Sequence, residues 1–275
     1  MKEPMRRGSR INNQRMASWT TLFLGYRLAV TEQRIDRWLD QFRPGDRDLA
    51  ARILDCVEFV THEQMTGAFR SMLACIRGWD IDESRRQGEW RFVAYSASAG
   101  ESGDSMLHKF RLANGLGGSG FNKLFIHKRD LVRQKLGPRD TVIFVDDFAG
   151  TGDQVCANWP EMQELLPQKP TIYLFLVAAS THARTKIANQ TSLEVLPHIE
   201  LTDADNVFSP RCSHFTSAER GILLEYGETA DKRFPRGYGD CGMVIVFAHN
   251  CPDNTIPILH AYHYKWEGLF RRFDT

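Results

Sequence analysis

Apolar residues in the first third of the chain recur with the period of an amphipathic helix. The clearest such face begins after Thr31, which suits a helix N-cap, and ends before Pro44-Gly45; its apolar positions are Ile35, Trp38, Leu39 and Phe42. Two further segments share this period, and the second opens with capping-box spacing at residues 61–64. We therefore predict a helical subdomain over residues 31–88.

The pattern changes near Trp90, where short apolar runs replace the helical period. These runs hardly alternate with polar residues, and they cover residues 92–95, 124–126, 142–145 and 172–179. Strands covered on both faces of a parallel sheet have this composition. Segments of helical length separate the runs, which is the strand–helix–strand order of a doubly wound domain. The sequence thus predicts an α/β core with a parallel sheet over residues 89–201, with a strand in each run.

Regular patterns weaken after residue 201. A polar stretch covers residues 202–215, and a second capping-box spacing predicts a helix that follows Thr216. Residues 243–248 are typical of a short strand, and an aromatic tail follows it. We predict an irregular C-terminal α+β extension over residues 202–275, packed as a hood on the core.

The first residues of the chain carry a local excess of positive charge. Up to residue 15 the acidic residue Glu3 stands against Lys2, Arg6, Arg7, Arg10 and Arg15. We assign residues 1–30 to a basic N-terminal arm. A frayed, soluble terminus is the favoured interpretation, and an arm that contacts nucleic acid is the alternative.

Composition restricts the class of protein. The chain of 275 residues is 42% hydrophobic and 25% charged, and its formal charge of +1 gives no reason to expect general binding to nucleic acid or membranes. The longest apolar run, residues 172–179, is too short to span a bilayer. The six cysteines form no CxxC pair, and no apolar stretch follows the early basic residues as in a signal peptide. We expect reduced thiols and a cytoplasmic protein.

The strongest chemical signal follows the run at residues 142–145. Asp146 and Asp147 come next, and adjacent carboxylates at a strand end can accept hydrogen bonds from vicinal hydroxyls. The Gly150-Thr151-Gly152 turn lets backbone N–H groups converge on a phosphate, and a helix that begins near Asp153 would add its dipole. One short segment could hold both ends of a ribose 5-phosphate. The alternative is a buried strand that ends in two solvated aspartates.

This segment, Thr141–Gln154, resembles the phosphoribosyl-pyrophosphate motif of type I phosphoribosyltransferases. The resemblance implies a type I phosphoribosyltransferase-like core in which Asp146 and Asp147 bind the ribose hydroxyls at the catalytic centre. It also implies a 5-phosphate loop made of Ala149, Gly150, Thr151, Gly152, Asp153 and Gln154. Two of these residues depart from the family pattern. A carboxylate at position 153 repels a phosphate unless it faces away or caps the helix, and Gln154 stands where Ser or Thr is usual.

The same resemblance implies a pyrophosphate-binding loop after the first core strand. Small residues and glycines there suit an anion-binding nest. Two acidic residues, Glu101 and Asp104, share the sign of pyrophosphate and oppose this interpretation. The binding residues that we predict in this region are Ser98, Gly100, Ser102, Gly103 and, on the next helix, Lys109.

The tail narrows the resemblance to one branch. The segments Pro252–Pro257, Trp266 and Leu269–Arg272, together with Trp38–Phe42, resemble the bacterial conflict-system phosphoribosyltransferase-like proteins called PRTase-CE. That resemblance extends from about residue 35 to residue 273, and it accounts for Asp153-Gln154 as a feature of the branch. Some proteins of this branch accompany retrons, so the resemblance implies an effector or regulator in antiphage defence.

Two functional hypotheses follow from this resemblance. The first is an enzyme that transfers a phosphoribosyl group, with Mg²⁺ held mainly by substrate oxygens and water. The second is a catalytically inactive module that senses a nucleotide and acts through a protein or a reverse transcriptase–RNA partner. The partners we expect are a nucleotide or phosphoribosyl substrate, a reverse transcriptase with its RNA or DNA, and a second copy of the chain; a membrane is not among them.

A metal site of the protein's own is a disfavoured possibility. The tail holds enough ligand types for zinc in Cys241, His249, Cys251, His260 and His263. Their spacing matches no common zinc finger or ribbon, so core thiols and interface histidines are the favoured interpretation. We predict no metal ligands in the chain.

Overall fold

The computed structural model describes residues 11–95 and 102–272. The helices in these ranges are α1 Asn13–Leu22, α2 Glu32–Leu39, α3 Arg47–Cys56, α4 His62–Ala74, α5 Ser102–Ala113, α6 Leu131–Gln134, α7 Asp153–Glu164, α8 Thr181–Gln190 and α9 Ser217–Ala230. The strands are β1 Glu58–Val60, β2 Trp90–Ala94, β3 Thr141–Ala149, β4 Thr171–Ser180, β5 Glu194–Leu201, β6 Ile245–Phe247, β7 Tyr262–His263 and β8 Trp266–Glu267. Short 3-10 turns link several of these elements.

The chain divides into two compact units. The first unit combines residues up to 62 with residues from 203 onwards, and the second is the continuous segment 63–202. In this division the helices α1–α3 share a unit with the C-terminal extension, whereas α4 belongs to the unit that contains the larger sheet.

The second unit is built on a four-stranded sheet in the order β2-β3-β4-β5, and every neighbouring pair is parallel. Residues 142–145 and 174–179 of the two central strands are fully buried, which explains why these runs do not alternate. The prediction of an α/β core with a parallel sheet is confirmed.

Helices cover both faces of this sheet. On one face α5 places Phe110 against Phe92 of β2 and Phe175 of β4, at ring-centroid distances of 4.9 and 6.2 Å. On the other face α7 and α8 pack their apolar residues, Trp159 and Ile187 among them, into a cluster with Val93, Phe144 and Leu174. Alternate positions of each strand therefore serve opposite layers of the core.

One predicted strand is wrong. The apolar run at residues 124–126 forms no ladder: residues Ser119–Leu124 form a 3-10 helix, and Phe125 makes a single isolated bridge to Phe92. The ring of Phe125 lies 5.3 Å from that of Phe92, and Leu124 is buried. The run is apolar because its side chains pack against the edge strand β2, and this packing requires no hydrogen-bonded strand.

The first unit contains helices α1–α3 and α9, a parallel pair of β1 with β6, and the antiparallel hairpin β7–β8. Two predicted helix starts are confirmed: the Thr31 side chain caps α2, and a capping box of Thr216 and Glu219 opens α9. The predicted strand at residues 243–248 is present in shorter form as β6. Within the described ranges, no helix is both long and apolar enough to cross a membrane.

Residues that carry the branch resemblance hold the first unit together. The indole N–H groups of Trp38 and Trp266 both donate to the Ile258 carbonyl, at 2.8 and 3.0 Å. Asn254 Nδ2 donates to the Tyr238 carbonyl at 3.0 Å. These side chains fix the tail by satisfying buried backbone acceptors, so their role in this unit is structural.

Candidate functional site

Strand β3 carries the paired carboxylates to the carboxyl edge of the sheet. The strand is longer than the sequence predicts: it continues through Asp146 and Asp147 to Ala149, because β4 goes on pairing beside it up to Ala179. On the other side β2 ends at Ala94, and the Tyr95 N–H donates to the Val145 carbonyl at 2.9 Å. Both aspartates are partly buried, and the Asp147 amide donates to Asp146 Oδ1 at 2.9 Å. This bond orients the first carboxylate of the pair.

The turn after β3 requires a glycine at its last position. Gly152 has φ of +77°, in the left-handed region, and stands at the N-cap of α7. A Cβ atom there would lie 3.1 Å from Ile187 Cγ1 and 3.2 Å from the Ala183 carbonyl oxygen of α8. The turn therefore depends on the glycine both for its backbone conformation and for the close approach of α8.

A serine at the end of β4 holds this turn in place. Ser180 Oγ donates to the Gly150 carbonyl at 2.5 Å and accepts from the Ala183 amide at 2.8 Å, so one hydroxyl fixes the turn and caps α8. Gly152, the N-cap residue of α7, has no side chain to cap the helix, but the first N–H group of the helix, that of Asp153, donates to Thr151 Oγ1 at 3.2 Å. The positive dipole end of α7 faces the predicted phosphate position.

Asp153 is the first residue of α7, so the interpretation of this residue as an N-cap is wrong; Gly152 has that position. The Asp153 carboxylate instead pairs with the Lys186 ammonium of α8. Hydrogen bonds from Lys186 and from the Thr151 hydroxyl, with the nearby charges of Lys186 and His182, lower the pKa of Asp153. The negative charge of Asp153, which would repel a phosphate, is therefore neutralised by the Lys186 ammonium on the neighbouring helix.

Lys186 is a candidate residue that sequence patterns do not reveal. It follows Asp153 by 33 positions and belongs to an ordinary surface-like stretch of α8. The parallel order of β3 and β4 places the start of α8 beside the turn, and this placement alone brings the two side chains together.

The predicted pyrophosphate loop is only partly described. Ser98 and Gly100 lie outside the described residues, and Ser102 and Gly103 form the start of α5. A Cβ on Gly103 would lie 2.8 Å from the Tyr95 carbonyl oxygen, so this glycine allows α5 to approach the end of β2. Lys109 lies further along α5, where burial lowers its pKa. The binding roles of these residues stay predictions.

Tyr95 connects the two loops and was not found from the sequence. Its hydroxyl donates to the Val155 carbonyl of α7 at 2.7 Å. Burial, followed by the nearby Cys156 and Asp146, raises the pKa of Tyr95 above its usual range. The phenol is therefore a neutral hydrogen-bond donor that ties the end of β2 to the first turn of α7.

A family model now adds to this geometry. The model of the family named PRTase-CE matches residues 35–272, which is most of the chain. The chain belongs to the PRTase-CE family. This confirms the resemblance drawn from the β3–α7 segment and the tail, and the parallel sheet with its flanking helices is consistent with a phosphoribosyltransferase-like core. No curated protein matches the chain.

Two open cavities of this PRTase-CE protein lie away from the β3–α7 segment, along the hairpin β7–β8. They measure about 590 and 770 Å³, and their described linings share Tyr262, His263, Tyr264 and Lys265. Volume alone assigns no ligand. We place the candidate site at β3–α7, because this segment carries the paired carboxylates, a helix N-terminus and the residues of the family motif.

Histidines and cysteines of the tail have structural partners in the first unit. Among the residues that the structure describes, no three His, Cys, Asp or Glu side chains are grouped to hold a metal ion. His260 Nε2 lies 3.0 Å from the Thr255 carbonyl oxygen and His263 Nε2 lies 2.8 Å from that of Ala230, distances at which each ring N–H donates.

Proposed function

We propose that the β3–α7 segment binds the ribose 5-phosphate part of phosphoribosyl pyrophosphate or of a nucleotide. One observation carries the proposal: Asp146 and Asp147 lie in the last four residues of a parallel strand, shortly before a left-handed Gly152 at the N-cap of a helix. A vicinal diol and a phosphate are the two groups that such an arrangement matches.

The carboxylates would bind the sugar. Each ionised oxygen can only accept hydrogen bonds, so a pair of carboxylates selects a ligand with adjacent hydroxyl donors. Both aspartates are partly buried at the carboxyl edge of the sheet, where bonds to a ligand compete less with water than on an open surface. The Asp147 amide already fixes one oxygen of Asp146, which reduces the ordering cost of binding.

The turn and the helix would bind the phosphate. The left-handed Gly152 opens α7, whose dipole favours an anion at this end, and the Asp153 N–H donates to Thr151 Oγ1 at 3.2 Å. Ser180 and the close contact of Gly152 with α8 hold the turn before any ligand arrives. The site is therefore organised in advance of binding.

We further propose pentosyl transfer as the reaction of this site. The bond between C1′ and the pyrophosphate oxygen breaks, and its electron pair leaves with pyrophosphate. An acceptor nitrogen donates the pair that forms the new C1′ bond, and its proton passes to water. The carboxylates orient the sugar and stabilise the positive charge that develops on it. Mg²⁺ bound to the substrate, with ligands mainly from substrate oxygens and water, would supply neutralisation of the charge on the leaving pyrophosphate.

The experiment is a calorimetric titration of the full chain with phosphoribosyl pyrophosphate and Mg²⁺. We expect saturable binding by the wild-type chain and a loss of at least about tenfold in affinity for Asp146→Asn plus Asp147→Asn. Glu161→Gln plus Glu164→Gln is the matched control, since it removes two exposed carboxylates from the far end of α7. Absence of binding by the wild type, or equal loss in the control, refutes the assignment.

A catalytically inactive sensor is the second candidate. The observation that favours it is the pairing of Asp153 with Lys186 and Thr151, which engages two groups of the phosphate loop within the protein. Without its partner, a sensor would bind the phosphoribosyl ligand with the same affinity as an enzyme, but it would release no pyrophosphate. Measurement of pyrophosphate released from phosphoribosyl pyrophosphate, with several nucleobases as acceptors, separates the enzyme from the sensor.

We propose antiphage defence as the biological setting, with a reverse transcriptase and its RNA or DNA as partner. Membership of the PRTase-CE family supports this setting through the resemblance of the branch to conflict-system proteins. The test compares phage plating on bacteria that carry the gene with its native neighbours, and on bacteria that carry the Asp146→Asn plus Asp147→Asn version. Equal plating on both refutes a defence role for the site.

A further inference from the structure

The salt bridge between Asp153 and Lys186 lies beside the first turn of α7, where the proposed phosphate would bind. Both side chains are partly open to solvent, with exposed fractions of 43% for Asp153 and 30% for Lys186. A ligand at the helix N-terminus can therefore reach the ammonium group without unfolding the turn. The pair joins α7 to α8 across the same contact that requires Gly152.

The charges of this pair decide what the turn can accept. An unpaired carboxylate at the first helical position would repel a phosphate dianion, whereas the bridge makes the local charge of the pair zero. An anion that arrives at the N-terminus of α7 would thus meet a cation already positioned by the protein.

We propose that Lys186 is the phosphate-selecting cation of this site and that Asp153 is the counter-ion that the ammonium exchanges for phosphate. Without ligand, Asp153 holds the ammonium next to the turn. When a phosphate binds, the ammonium turns from the carboxylate to the phosphate oxygens, and the carboxylate is left to water. The sugar part of this proposal rests on the proposed function, whereas the anion part concerns only α7 and α8.

The proposal makes opposite predictions for the two partners. Lys186→Met removes a charge-assisted bond and should weaken phosphate binding between about tenfold and a hundredfold, and Lys186→Arg should restore most of it. Asp153→Asn removes a competitor for the ammonium and a repulsive charge, so it should tighten binding by about threefold to tenfold. A purely structural salt bridge predicts instead that both changes weaken binding.

The matched control comes from the same helix. Arg184 lies one half-turn before Lys186, is half-exposed and pairs with Glu200 at 2.8 Å. Arg184→Met removes one positive charge from α8 without touching the β3–α7 turn, so it measures the general effect of charge on anion binding. The effect of Lys186→Met should exceed that of Arg184→Met by at least about fivefold.

The experiment titrates the full chain with ribose 5-phosphate and, separately, with inorganic phosphate, and follows the backbone amide resonances of residues 151–154. Shifts of these resonances with both probes, lost in Lys186→Met and strengthened in Asp153→Asn, support the proposal. If ribose 5-phosphate binds equally well to wild type and Lys186→Met, the proposal fails while the proposed function stands. If inorganic phosphate binds through Lys186 but ribose 5-phosphate does not bind, the role of Lys186 stands while the proposed function fails. If neither probe shifts these resonances, both fail.

Discussion

Replacement of Gly152 by alanine isolates the two physical reasons why the phosphate turn needs a glycine. The left-handed φ of +77° costs an alanine about 1–2 kcal/mol. The added Cβ would also lie 3.1 Å from Ile187 Cγ1 and 3.2 Å from a backbone oxygen of α8, a crowding that costs about 1–2 kcal/mol more. We therefore expect Gly152→Ala to lower the free energy of unfolding by about 2–4 kcal/mol.

Two other glycines of the second unit separate these contributions. Gly115 has φ of +70° with nothing within 4 Å of a built Cβ, so Gly115→Ala should show the backbone cost alone, about 1–2 kcal/mol. Gly67 is an exposed residue inside α4 without neighbours within 4 Å, and Gly67→Ala should stabilise by about 0.5–1 kcal/mol.

Urea unfolding of the three variants, followed by tryptophan fluorescence, measures these differences if the slope with urea stays constant. Equal losses for Gly152→Ala and Gly115→Ala would show that the contact with α8 adds nothing. A neutral Gly152→Ala would refute the left-handed turn itself.

Three further predictions concern pH and hydrogen bonding. Burial lowers the pKa of His260 to about 4, below that of an unfolded histidine, so stability should fall as the pH drops from about 6.5 to about 4; a urea midpoint that is constant across this window contradicts this. Burial alone would raise the pKa of Glu219, but hydrogen bonds from Arg52 and Thr216 outweigh burial and lower this pKa to about 2. Glu219→Gln should therefore destabilise at neutral pH, with a difference from wild type that closes as the pH falls from about 4.5 towards about 2. Tyr95→Phe removes the bond to the Val155 carbonyl and should cost about 1 kcal/mol in urea unfolding, and an unchanged midpoint would exclude a stabilising role for that bond.

Local patterns were sufficient to predict the strand and the helix start at the candidate site. The uninterrupted apolar run before Asp146 predicted a buried parallel strand, and the Gly-Thr-Gly turn predicted a helix start, because both properties depend on neighbouring residues. The capping residues Thr31 and Thr216 were predictable for the same reason.

Features that depend on distant residues escaped prediction. The run at residues 124–126 has the composition of a strand, but it packs against Phe92 through side chains, and composition cannot distinguish these outcomes. Asp153 pairs with Lys186 because of the position of α8 on the sheet, and no local sequence pattern predicts that position. The length of β3 beyond Val145 likewise depends on pairing with β4.

The pairing of β1 with β6 has a consequence for how the chain folds during synthesis. Glu58 pairs with Ile245, so the first unit joins segments about 190 residues apart, whereas the second unit is continuous. Closing so long a loop is entropically costly, and its second half leaves the ribosome late. The continuous second unit, which contains the candidate site, can therefore fold before β6 has been synthesised, when the first unit, with helices α1–α3, is still incomplete. A chaperone that shields the apolar faces of those helices would act in that interval.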